Sequence, residues 1–150
     1  MMTATQNTQT NTQSVAYAAL VTRLSLGVMY LAHGLLKVLV FTPAGTVGFF
    51  ESLGLPGFFA YLTILAEIGG GLLLIAGVGT RLVSAALIPA LLGALFLVHA
   101  DKGWVFSAPG GGWEYPAFLI ATSVVAVLLG NGAYALADRL PVLRETKLAS

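Results

Sequence analysis

Four apolar stretches, at about residues 17–41, 58–78, 82–100 and 115–137, take up most of the chain. Each approaches the roughly 20 residues that a helix needs to cross the hydrocarbon core of a bilayer. Leucine and alanine dominate them, with glycine interspersed as in membrane helices, and no strand-type alternation supports a barrel. The pattern predicts an all-α fold, a four-helix transmembrane bundle. Composition agrees: 57% of residues are hydrophobic and only 9% charged, against about 25% charged in an ordinary soluble domain. A net charge of +1 excludes a nucleic-acid binder held by a basic surface. The absence of cysteine excludes a disulfide scaffold, a dithiol centre and thiolate ligation of iron–sulfur or zinc.

The segments between and around the spans differ in character. Residues 1–14 are almost all Thr, Gln, Asn and Ser, too polar to bury surface, and read as a disordered tail. No basic segment precedes the first apolar run and no small-residue cleavage site follows it, which argues against a cleaved leader. The membrane domain covers 15–140 and a short cytoplasmic tail covers 141–150. Between the first two spans, Val47, Phe49, Phe50 and Leu53 suit a short interfacial helix. The turn at 79–81 is tight and makes the second and third spans antiparallel neighbours. Residues 101–113 form a Gly-rich loop, read as flexible, with Trp104, Phe106 and Trp113 placed for the membrane–water interface. Gly110-Gly111-Gly112 is no phosphate loop, since neither Lys nor Ser/Thr follows it. Arg23, Arg81, Arg139, Arg144 and Lys147 fall on one side of this topology and Lys102 on the other, which puts both termini in the cytoplasm. Arg23 and Arg81 read most simply as headgroup anchors.

Ionisable groups inside the spans carry the functional information. Lys37 lies 14 residues beyond Arg23, and Glu67 lies 14 before Arg81. At 1.5 Å per residue both sit about 21 Å above the arginine level, so they are expected to pair. The bland alternative is a bolt that fixes helix register. His33 shares the face of Lys37 one turn deeper, with a hydrogen bond to a neighbouring helix as its structural alternative. Gly69, Gly70 and Gly71 follow Glu67 and admit a second backbone or a flat ligand. His99 and Glu114 lie near the outer surface, where a solvated role competes with chemistry. Lys37, Glu67 and His33 are therefore the catalytic candidates, and Gly70, Gly71, His99 and Glu114 the candidates for cofactor contact. His33 and His99 differ by eight residues in their count from the arginines, about 12 Å of depth. That argues against one haem ligated by both within one chain. No metal site is expected.

The ordered set of Arg23-Leu24-Ser25-Leu26-Gly27, His33-Gly34-Leu35-Leu36-Lys37, Phe49 to Pro56, Glu67-Ile68-Gly69-Gly70-Gly71, Gly77 to Arg81, His99, Glu114 and Gly130-Asn131-Gly132 resembles the DoxX family of small bacterial four-helix membrane proteins. The resemblance runs from about residue 15 to 140. It implies an inner-membrane protein tied to quinone-linked oxidoreductases or to redox-stress enzymes. It makes Lys37, Glu67, Arg81 and His99 candidate site residues. Three roles follow as expectations. The first is a quinone-binding subunit, in which Glu67 or His33 accepts protons and Lys37 steadies the developing quinolate. The second is a non-enzymatic scaffold that anchors a soluble or membrane oxidoreductase through the tail at 141–150. The third is a small proton-coupled transporter, alone or as a homo-oligomer.

Overall fold

In a computed structural model of the chain, residues 4–139 are described, with side chains from residue 10 onward. The order of elements is α1 (Ala4–Leu39), α2 (Pro43–Ser52), α3 (Phe58–Ala76), α4 (Thr80–Gly93) and α5 (Glu114–Leu129). Short 3-10 turns at Ala100–Lys102 and Leu136–Asp138 complete it. Between α4 and the first of these lies a π-helical turn, Ala94–His99. No strand occurs among the described residues. Helices α1, α3, α4 and α5 close a ring in which α1 packs on α3 and α5, and α4 on the same two. The short α2 lies against α3 and the end of α1, where the interfacial helix was expected.

Polarity is inverted relative to a soluble domain. Leu39, Leu65, Leu82, Phe96, Phe118 and Leu128 are all exposed, while Arg23, Glu67, Thr80, Ser84 and Ser123 are buried. Water rewards neither choice, whereas a hydrocarbon solvent rewards both. Three stretches, Thr10–Leu39, Phe58–Ala76 and Thr80–Lys102, are long and apolar enough to cross a bilayer. Helix α5 is shorter than the apolar stretch that contains it, because the chain leaves the helix at Gly130, φ 78° and ψ −152°, a conformation open to glycine. Its 16 residues rise about 24 Å, short of the roughly 30 Å core.

At its start α1 runs further than expected. Residues 4–14, read as a disordered tail, continue α1 as helix. A helix already nucleated by a packed apolar segment adds a hydrogen bond with each further residue, so neutral polar residues can prolong it. The tail at 141–150 lies outside the described residues.

Arg23 is no headgroup anchor. Only 1% of it is exposed. Its Nε donates to the Asn131 carbonyl at 2.8 Å and Nη2 to that of Ala133 at 3.1 Å. Its Nη1 donates to the carbonyls of Leu74 at 2.9 Å and Ile75 at 2.6 Å. These last two lie in the final turn of α3, where carbonyls outnumber backbone donors, although the Leu74 carbonyl also accepts from Gly77 N at 3.1 Å. A cation there also meets the negative end of the helix dipole. Gly77, φ 71°, ends the helix beside the guanidinium, and a Cβ there would lie 3.0 Å from Arg23 Cζ. Asn131 joins the same knot through Oδ1, which accepts from Thr80 N at 3.1 Å. One residue thus ties α1, the end of α3 and the turn after α5 together, and Asn131 brings in the start of α4. Arg81, by contrast, is exposed, with its guanidinium beside Gly130.

Replacing Arg23 by Met is expected to lower stability by about 3 kcal/mol or more, because several carbonyls lose their donor. Arg23→Lys keeps the charge but reaches fewer of them and should lose less. Thr80 Oγ1 and Ser84 Oγ are enclosed without a hydrogen-bond partner, so Ser84→Ala should be neutral or stabilising by up to about 1 kcal/mol. Unfolding in mixed micelles, followed by tryptophan fluorescence, measures all three.

Candidate functional site

The site begins with a seam of glycines. A Cβ on Gly27 would meet the Gly71 carbonyl oxygen at 2.9 Å, and one on Gly71 would meet Leu31 N at 2.7 Å. Further along, a Cβ on Gly34 would reach 2.6 Å from Ile68 Cγ1 and 3.2 Å from Glu67 Cβ. Helices α1 and α3 therefore run in near backbone contact. That closeness brings Lys37 Nζ within 2.9 Å of Glu67 Oε1 and 2.7 Å of Oε2. The pair expected from equal depth is formed, with the two side chains 19% and 11% exposed. The depth count had a sound origin, since Arg23 and Thr80 meet at Asn131.

Lys37 and Glu67 lie in the wall of a cavity of about 880 Å³, to which all five helices and the π-helical turn contribute. Its lining is mostly apolar, with Phe41, Phe49, Phe50 and Phe59 on the α2–α3 side. The polar groups are Lys37, Glu67, Tyr30, His33, His99 and Tyr115, with Thr46 and Thr63. His33 does not bond to a neighbouring helix. Its Nδ1 is 2.8 Å from the Met29 carbonyl of its own helix, and its ring stacks on Tyr115 of α5, centroids 6.0 Å apart. Tyr30 exchanges a 3.1 Å hydrogen bond with Ser123.

His99 reaches the cavity because of the π-helical turn. Hydrogen bonding from i to i+5 sets His99 nearly above Ala94. Five residues of α-helix would leave it about 140° away around the axis. Both Ala94 and His99 line the cavity. His99 Nδ1 lies 2.8 Å from the Gly111 carbonyl, so the glycine loop holds the imidazole. That loop is braced rather than flexible. Gly112 N and Trp113 N donate to the carbonyls of Val105 and Gly103, each at 3.0 Å. A Cβ on Gly112 would collide with the carbonyl oxygens of Trp104 and Val105. Trp104 and Trp113 meet edge to face at 4.4 Å.

The remaining candidates fall elsewhere. Glu114 is absent from the cavity wall and accepts from Phe106 N at 2.7 Å through Oε1, as a brace for the loop. Gly70 faces Leu87 of α4 and Gly71 faces α1, so these glycines admit helices and not a flat ligand. Arg81 also lies away from the cavity. Among the described residues no group of three or more His, Cys, Asp or Glu could hold a metal ion. The sequence reading missed Tyr30 and Tyr115. Tyr30, His33 and Lys37 follow i, i+3, i+7 spacing, which marks one helix face and would have found the first.

A double-mutant cycle tests the energetics of the pair. Lys37→Met alone, which leaves the carboxylate unmatched, is expected to cost about 3 kcal/mol. Adding Glu67→Leu should recover much of that loss.

Comparison with known proteins follows the same outline. The profile of the DoxX family matches residues 18–100. The chain is 32% identical over 124 residues to "Putative oxidoreductase CatD" of Bacillus subtilis (strain 168), covering 83% of this chain and 87% of that protein. It is 34% identical over 82 residues to "Inner membrane protein YqjF" of Escherichia coli (strain K12), covering 55% of this chain and 62% of that one. No solved structure matches it.

Proposed function

The chain belongs to the DoxX family, and on that footing we propose that it is the quinone-binding membrane subunit of an oxidoreductase system. The observation that carries this reading is an ion pair set in the wall of an otherwise largely apolar cavity of about 880 Å³. Ligand cavities of this size with a few convergent polar groups suit a flat, lipophilic ring. The apolar lining accommodates the ring and the start of an isoprenoid tail. The polar groups meet the ring oxygens: Glu67 or His33 accepts a proton, and Lys37 steadies negative charge on oxygen. Without cysteine, the chain leaves the remaining redox chemistry to a partner enzyme in the membrane or at its surface. The name of the Bacillus subtilis relative, an oxidoreductase, accords with this role. Orientation is part of the proposal: Arg81 and Arg139 mark the cytoplasmic end, opposite Lys102.

Protein purified in native lipid and extracted for quinone tests the reading. Wild type should yield about one quinone per occupied cavity. Glu67→Gln and Lys37→Met, compared at equal folded yield, should lose most of it. Absence of quinone from wild type, with both variants merely less stable, would reduce the pair to a register bolt and leave the chain an anchor for its partner.

A further inference from the structure

The two histidines of the cavity are fixed in the same tautomer, each by a different device. A carbonyl oxygen can only accept. The 2.8 Å contact of His33 Nδ1 with the Met29 carbonyl therefore places the proton on Nδ1. The 2.8 Å contact of His99 Nδ1 with the Gly111 carbonyl does the same. In the neutral rings Nε2 is then the lone-pair nitrogen on both, and both rings line the cavity. The other polar groups of the wall add few donors. Lys37 directs two of its N–H bonds at Glu67. The Tyr30 hydroxyl is paired with Ser123, the Tyr115 hydroxyl points to Met29 Sδ at 3.7 Å, and Thr46 donates to backbone carbonyls. The hydroxyl of Thr63 can serve either way. Accepting groups predominate.

We propose that the cavity selects the reduced, dihydroxy form of its aromatic ligand, with His33 Nε2 and His99 Nε2 each accepting a hydrogen bond from one ring hydroxyl. The inference rests on the quinone reading above and adds the oxidation state that the site recognises. A quinone carries only acceptors and meets two lone pairs with its own, while a hydroquinone brings a donor to each. The two acceptors sit on different elements, α1 and the π-helical turn, so each can take one of two ring hydroxyls.

The test uses the full chain in lipid nanodiscs under anaerobic conditions, with a decyl-tailed para-benzoquinone, its hydroquinone and the monomethyl ether of that hydroquinone as probes. The hydroquinone is expected to bind about tenfold tighter than the quinone, and the monomethyl ether to fall between them. His33→Asn and His99→Asn each keep a side-chain donor near the Nδ1 position and remove the Nε2 acceptor. Each should cut the preference to about threefold, as the monomethyl ether does from the ligand side, with the loss falling more on hydroquinone than on quinone affinity. His33→Gln, which retains an acceptor further out, provides a second variant should the Asn substitution disturb folding, and is expected to keep more of the preference. Equal affinity for both forms, tighter quinone binding, or undiminished discrimination in the Asn variants would overturn the inference while leaving the quinone site standing. Failure of wild type to bind any of the three probes would overturn both.

Discussion

Arg23 holds four backbone carbonyls that the bilayer interior cannot solvate, and the remaining geometry depends on that satisfaction. A helix that ends inside or near hydrocarbon leaves its last carbonyls without partners, at a cost of several kcal/mol each where water is absent. Helix α3 ends at Gly77 and the chain turns at Gly130 after α5, so the carbonyls of Leu74 and Ile75 and those of Asn131 and Ala133 converge on one end of the bundle. A planar guanidinium with five donors can answer both sets at once, which an ammonium cannot. With that end closed, α1 and α3 share a fixed origin, and equal residue counts along them become equal depths. The meeting of Lys37 with Glu67 follows from that origin and from the glycine seam between the two helices.

The two ends of the seam do different work. Near Arg23 the close approach of Gly27 and Gly71 excludes everything but backbone. Beyond Gly34 the helices are held by the ion pair, and α2 with its phenylalanines packs over α3. The cavity opens there because the Lys37–Glu67 side chains occupy the wall where glycine had allowed contact. A charged pair in such a place stabilises little by itself, since desolvation offsets most of the Coulomb attraction. It supplies the polar wall of an apolar chamber.

Much of this was legible in the sequence. Span lengths gave the helical membrane class, and the 14-residue counts gave the ion pair. His33 was placed correctly on the face of Lys37. What was not legible turned on long-range geometry. Arg23 looked like an anchor because its position in the chain suits one; only the folded turn at 131–133 and the end of α3 reveal its partners. Gly70 and Gly71 looked open to a ligand because spacing cannot say which neighbour fills the space beside a glycine. Glu114 was assigned to the right level but faces the loop. The loop itself looked loose because its order comes from backbone bonds between residues seven to ten apart, for which glycine composition carries no sign. The polar segment before Ser14 gave no helical period, yet it continues α1.

The π-helical turn at Ala94–His99 carries a consequence for comparing related chains. A wide turn is a phase slip: residues before it keep one angular frame, and residues after it keep another. A sequence lacking one residue in this turn could resume ordinary winding without breaking the helix, and its terminal imidazole, now four residues after the Ala94 position, would stay on the same face. A relative of equal length that wound as ordinary α-helix throughout would instead carry that imidazole about 140° around the axis. Two relatives could thus differ by a one-residue gap and present the same chemistry to the chamber, while two that align without a gap present different chemistry.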